Sequence, residues 1–131
     1  MIRSLVHALR GCVRPLFIAA ALATALASTA AFGTTGSSIP YSVSKGAVVQ
    51  TTKLLAVALA PQIRVNAVAP GFVLTRWWTQ LGEEVIKQRI AAMRFQRAVE
   101  LDDVVQTAML AITNESISGQ TLVVDPANVM P

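Results

Sequence analysis

Pro40 and Pro61 enclose a long helical pattern, Tyr41 to Ala60, which runs almost directly into the β-branched, alternating segment from Ile63 to Ala69. A proline sits well just before a first helical turn and cannot continue a last one, so both ends of the pattern are fixed by the sequence itself. Ala47, Leu54, Leu55 and Ala58 recur at helical spacing and are expected to form the buried stripe. The segment 63–69 has the composition of a strand, ended by Pro70-Gly71. Two more helical patterns follow. Leu81 to Phe95 is amphipathic and peripheral, with Glu83 and Lys87 paired at i, i+4, and Leu101 to Thr113 carries Glu100, Asp102 and Asp103 where the helix dipole favours negative charge. A second short apolar run, Gln120 to Val124, comes after a Ser118-Gly119 turn. Strands separated by whole helices cannot pair as hairpins, and the alternation predicts an α/β fold with a parallel sheet.

Composition narrows the chemistry. The chain has 131 residues, 53% hydrophobic and 14% charged, which suits at most one folded domain. Its net charge of +4 is spread without a basic run, so nucleic acid is not an expected partner. One cysteine, Cys12, excludes an intrachain disulfide, and with the single histidine, His7, it cannot complete a zinc site; no metal is expected. A Ser-His-Asp triad would have to use His7, in the most irregular part of the chain.

Residues 1–27 stand apart in composition. Arg3, His7, Arg10 and Arg14 precede an apolar run from Leu16 to Ala27, which at twelve residues is too short for a membrane span of ~20. The run has the form of an export signal ending in Ala25-Leu26-Ala27. The alternative, which the downstream residues favour, is a displaced start or altered reading frame on a cytoplasmic protein with no membrane partner. Ser28 to Ser38 is small and polar and reads as a loop.

Chemistry concentrates in Tyr41-Ser-Val-Ser-Lys45. A spacing of four puts phenol and ammonium on one helix face, and a cation beside a phenol favours its ionised form, which suits a proton donor or acceptor. Ser28, thirteen residues upstream, is a candidate hydroxyl to hold a substrate oxygen. Alternatively, the lysine simply packs along the tyrosine ring.

Ser28, Tyr41-x-x-x-Lys45, Ile63-Arg64-Val65-Asn66, Pro70-Gly71-x-x-x-Thr75 and Gly119-Gln120-Thr121-Leu122-x-Val124-Asp125 appear in that order. Together they resemble the C-terminal half of a classical short-chain dehydrogenase/reductase, over residues 28–125. The resemblance implies part of a Rossmann-like, doubly wound parallel sheet over 28–131, with the N-terminal strands missing. It implies NAD or NADP as cofactor and a small carbonyl compound or secondary alcohol as substrate. Tyr41 would be the acid/base and Lys45 would assist it and bind the nicotinamide ribose. Ser28 would orient the reacting group, while Pro70, Gly71, Val73 and Thr75 would line the nicotinamide. Residues 76–95 would form a substrate lid, with Trp77-Trp78 in its packing, and the 41–60 helix would join two copies of the chain.

The sequence departs from that family in definite ways. Its seven glycines, at 11, 33, 36, 46, 71, 82 and 119, supply no G-x-x-x-G-x-G phosphate loop. The usual Asp-Gly-Gly ending is Asp125-Pro126-Ala127. The segment leading into Ser28 is Ala-rich, which favours helix where a strand belongs, so the 63–69 strand is expected to have an unpaired edge and an uncovered face. The alternative reading is therefore a non-enzymatic fragment unable to hold a cofactor.

Overall fold

The computed structural model describes residues 23–34, 36 and 38–129. His7, Cys12 and most of the signal-like segment lie outside the described residues.

Three strands, β1 (Ala23–Leu26), β2 (Val65–Pro70) and β3 (Thr121–Val124), form a parallel sheet in the order β1-β2-β3. Ala23 stands opposite Val65 and Leu26 opposite Val68, while Ala67 pairs with Thr121 and Pro70 with Val124. Between β1 and β2 runs helix α1 (Ile39–Ala58), after a single 3-10 turn at Thr29–Ala31. Between β2 and β3 come α2 (Arg76–Thr79), α3 (Glu83–Ala91) and α4 (Leu101–Thr113). The α/β class and parallel sheet are as the sequence predicts.

Two expectations fail. The described part of the Ala-rich segment before Ser28, Ala23–Leu26, is a strand and not a helix, so the sheet begins ahead of residue 28. Ala25 and Ala27 lie in or against the core beside Ala67 and Ala69, where small side chains let α1 approach the sheet, and pairing with β2 overrides helix propensity. In consequence β2 has a partner on each edge, and Val65 to Ala69 are all buried. Neither of its faces is bare: Ala67 and Ala69 meet Val49 of α1, while Asn66, of opposite parity, donates to Ala111 O of α4.

Helix α1 also turns differently from the expected stripe. Its buried residues are Val49, Thr52 and Ala56, whereas Leu54 is 52% exposed. Thr52 can face the core because its hydroxyl donates back to Val48 O at 2.8 Å. Helix α3 buries no residue and carries the predicted Glu83–Lys87 pair at 3.8 Å, so its peripheral place is as expected. Among the described residues no helix is long and apolar enough to cross a membrane, and no cluster of His, Cys, Asp and Glu could hold a metal ion.

Arg64 and Asn66 secure the far end of the sheet. Arg64 Nη1 donates to Ala111 O (3.0 Å) and Ile117 O (2.8 Å), and its Nη2 to Ile112 O (2.6 Å). These are carbonyls at and just beyond the C-terminal end of α4, where a cation also complements the helix dipole. Asn66 adds Nδ2 to Ile117 O at 2.9 Å and accepts from Gln120 N at 3.1 Å. Gly119, at φ +74°, makes the tight turn into β3 and donates to Val65 O at 2.7 Å.

Candidate active site

Because all three strands are parallel, their C-terminal ends open on one side of the sheet, the side on which open α/β sheets receive ligands. Ser28, Pro70-Gly71 and Asp125 all stand there, just past or at the ends of β1, β2 and β3.

The start of α1 places the tyrosine. Ser38 caps the helix by accepting from Tyr41 N at 3.3 Å, and Pro40 occupies the first turn. Tyr41 therefore lies in that turn, 38% exposed, with Lys45 one turn further on. Lys45 Nζ sits 5.6 Å from the centre of the Tyr41 ring and donates to Leu26 O at 2.9 Å. This bond joins the helix to the last residue of β1, two residues before Ser28. The lysine therefore packs near the ring and also anchors to the strand. Ser28 begins the 3-10 turn, its Oγ accepting from Ala30 N at 3.2 Å. That bond uses the oxygen as an acceptor and leaves the hydroxyl proton for another partner.

The loop after β2 supplies the other predicted residues. Pro70 is the last residue of β2, and Gly71 N donates to Val124 O at 2.9 Å. A methyl group on Gly71 would overlap the Asp125 carboxylate, so the space this glycine leaves is filled by Asp125. Val73 pairs with Val99 in a parallel bridge, and Val99 N donates to Phe72 O at 2.8 Å, which closes the 74–98 excursion at its base. Thr75 stands at the N-cap of α2 but makes no capping bond through its side chain.

Two arrangements were not legible in the sequence, although Asp125 itself stands at the end of the Gly119–Asp125 motif. Asp125 accepts from Asn128 N (2.6 Å), Val129 N (2.8 Å) and Asn128 Nδ2 (3.3 Å), and Asn128 Oδ1 accepts from Arg94 N at 3.2 Å. This network ties the tail, the Gly71 turn and the end of the excursion together. Arg89 of α3 lies over the rings of Phe72 and Trp78. No spacing rule announces either arrangement, since both join segments far apart in the chain.

The nicotinamide end of a dinucleotide fits what is present. Lys45 uses one of its three donors on Leu26 O and has two to offer beside Tyr41, at the open ends of the strands. The pyrophosphate end does not, because no glycine-rich strand-to-helix turn occurs in the sequence.

A family model described as Enoyl-(Acyl carrier protein) reductase matches residues 1–126. The chain is 47% identical over 95 residues to the short-chain dehydrogenase/reductase homolog YusR of Bacillus subtilis (strain 168), a match that spans 72% of this chain and 73% of that one. The two are thus of nearly equal length. A 3-oxoacyl-[acyl-carrier-protein] reductase of Bos taurus is 42% identical over 94 residues, which are 71% of this chain but 38% of the bovine one. Among solved structures, FolM alternative dihydrofolate reductase 1 from Brucella canis, complexed with NADP, superimposes with a TM-score of 0.72 at 29% identity. That superposition covers 95% of this chain and 47% of the FolM chain. This chain therefore spans under half the length of the bovine and FolM proteins.

Proposed function

The chain belongs to the short-chain dehydrogenase/reductase family, and from that premise we propose that it carries the proton-transfer half of an NAD- or NADP-dependent oxidoreductase acting on a small carbonyl compound or secondary alcohol. The observation that supports this most is the tie between Tyr41, Lys45 and the end of β1. When bound, the nicotinamide supplies or accepts the hydride. In reduction Tyr41 gives its hydroxyl proton to the substrate oxygen, and in oxidation it takes that proton back. Lys45 holds the phenol's surroundings cationic and offers its remaining donors to the cofactor ribose. Ser28 donates to the same substrate oxygen and orients it. Pro70, Gly71, Val73 and Thr75 border the nicotinamide, and residues 76–95 cover the substrate.

A second reading rests on the scattered glycines: a non-enzymatic chain that keeps these residues without holding a cofactor. One series of measurements separates the two. The purified chain titrated with NADPH or NADH is expected to show no saturable binding and negligible turnover, because the phosphate contacts that supply much of the affinity are not in its sequence. Joining β1 onward to a matching glycine-rich N-terminal half is expected to restore carbonyl reduction. In that chimera Tyr41→Phe should abolish turnover with cofactor affinity nearly unchanged, and Lys45→Ala should damage both. A Tyr41→Phe chimera of undiminished rate would remove the catalytic assignment, and a chimera that binds NADPH without reducing any carbonyl would favour the second reading.

A further inference from the structure

Phe72 follows the Gly71 turn directly, and its ring meets Trp78 of α2 edge-on, with centroids 4.7 Å apart and planes at 67°. The guanidinium carbon of Arg89, from α3, lies 5.1 Å from the centre of the Phe72 ring and 4.6 Å from that of Trp78. Two aromatic rings thus hold one cation in place at the border of the candidate site.

What this cation lacks is an anion. Arg89 is exposed, and among the described residues it has no hydrogen-bond or ion-pair partner. The two acids of α3 are engaged elsewhere, Glu83 with Lys87 and Glu84 with Gln88. A guanidinium resting on rings keeps its N–H edge for other partners, and that planar fork matches the oxygens of a carboxylate or a phosphate. The surrounding segment reinforces the sign. From Arg76 to Arg97 there are five basic residues (76, 87, 89, 94 and 97) and two acidic ones (83 and 84).

We propose that Arg89 is an anion-recognition residue and that the substrate carries a carboxylate or phosphate which this guanidinium holds. Assigning the anion to the substrate rests on the oxidoreductase reading, whereas the binding of an anion at Arg89 does not. Phe72 and Trp78 act as positioning residues, fixing the fork so that less side-chain freedom is lost on binding.

The test is a two-dimensional NMR titration of the full chain with inorganic phosphate and, separately, succinate, at ionic strength held constant with sodium chloride. Saturable movement of the Arg89 Nε–Hε and Trp78 indole signals is expected. A tighter response to phosphate would indicate a phosphate ester, and a tighter response to succinate a carboxylic acid. Arg89→Met keeps an apolar stem on the rings and should weaken binding at least about tenfold. Arg89→Lys, which retains charge without the fork, should fall between the two. No saturable movement with either anion, or movement undiminished in Arg89→Met, would overturn the proposal, and a lysine variant binding as tightly as arginine would overturn the role of the fork. An unchanged dispersion of the β2 amide signals in each variant shows that folding is intact. Because the readout is a chemical shift, its failure would leave the hydride-transfer reading standing, and a chain without turnover can still show it.

Discussion

Asp125 and Gly71 show how much of this site depends on single atoms. The carboxylate occupies the room that a side chain at 71 would take and collects the amides of Asn128 and Val129. The tail that follows is bent by Ala127, whose φ of +56° is left-handed, a conformation that costs an L-residue roughly 1 kcal/mol. Glycine takes it freely. Ala127→Gly is therefore expected to raise stability by up to about 1 kcal/mol, read as a higher urea midpoint at unchanged slope. The departure from Asp-Gly-Gly is visible in the sequence, but the strained φ it leaves is not, because nothing local to Asp-Pro-Ala shows that the Asp125 carboxylate has amides to collect. Tyr41 and Lys45 were legible for the opposite reason: both ride on one helix, and its pitch alone relates them. The bond from Lys45 to Leu26 O spans nineteen residues and needed the fold.

Helix α1 is apolar on more than one side, so periodicity located the helix without orienting it. The sheet selects Val49, Thr52 and Ala56, and the outer face is left with Ile39, Val43, Leu54 and Val57, of which Ile39 and Val57 are more than 80% exposed. An exposed apolar face of this length suits contact with a second copy of the chain, and we propose that α1 mediates it. Sedimentation velocity should show a self-associating species, shifted toward monomer in a Val43→Asp, Val57→Asp double variant; an equal distribution in both would remove α1 from the interface. Strand β1 is the reverse case. Ala-Thr-Ala-Leu carries little strand propensity, and only pairing with β2, laid down forty residues later, makes it a strand. Strands 63–69 and 120–124 were legible to within one or two residues because β-branched side chains and turn residues mark them locally.

At the scale of the molecule, β2 is, among the described residues, the one strand bonded on both edges and covered on both faces. Its amides, from Val65 to Ala69, should be the slowest to exchange with deuterium, whereas those of α3, which buries nothing, should exchange early. Equal protection of the two would contradict the packing. The same central position has a bearing on how the chain is made. Ala23 and Val65 are 42 residues apart and Ala67 and Thr121 are 54 apart, so neither side of the sheet can form from neighbouring sequence. On a ribosome adding about 5–20 residues per second, β2 emerges with β1 already outside but waits roughly 3–10 s for β3. Through that interval the most deeply buried of the described strands has one open edge, and the nascent chain has to keep it from any partner but β3.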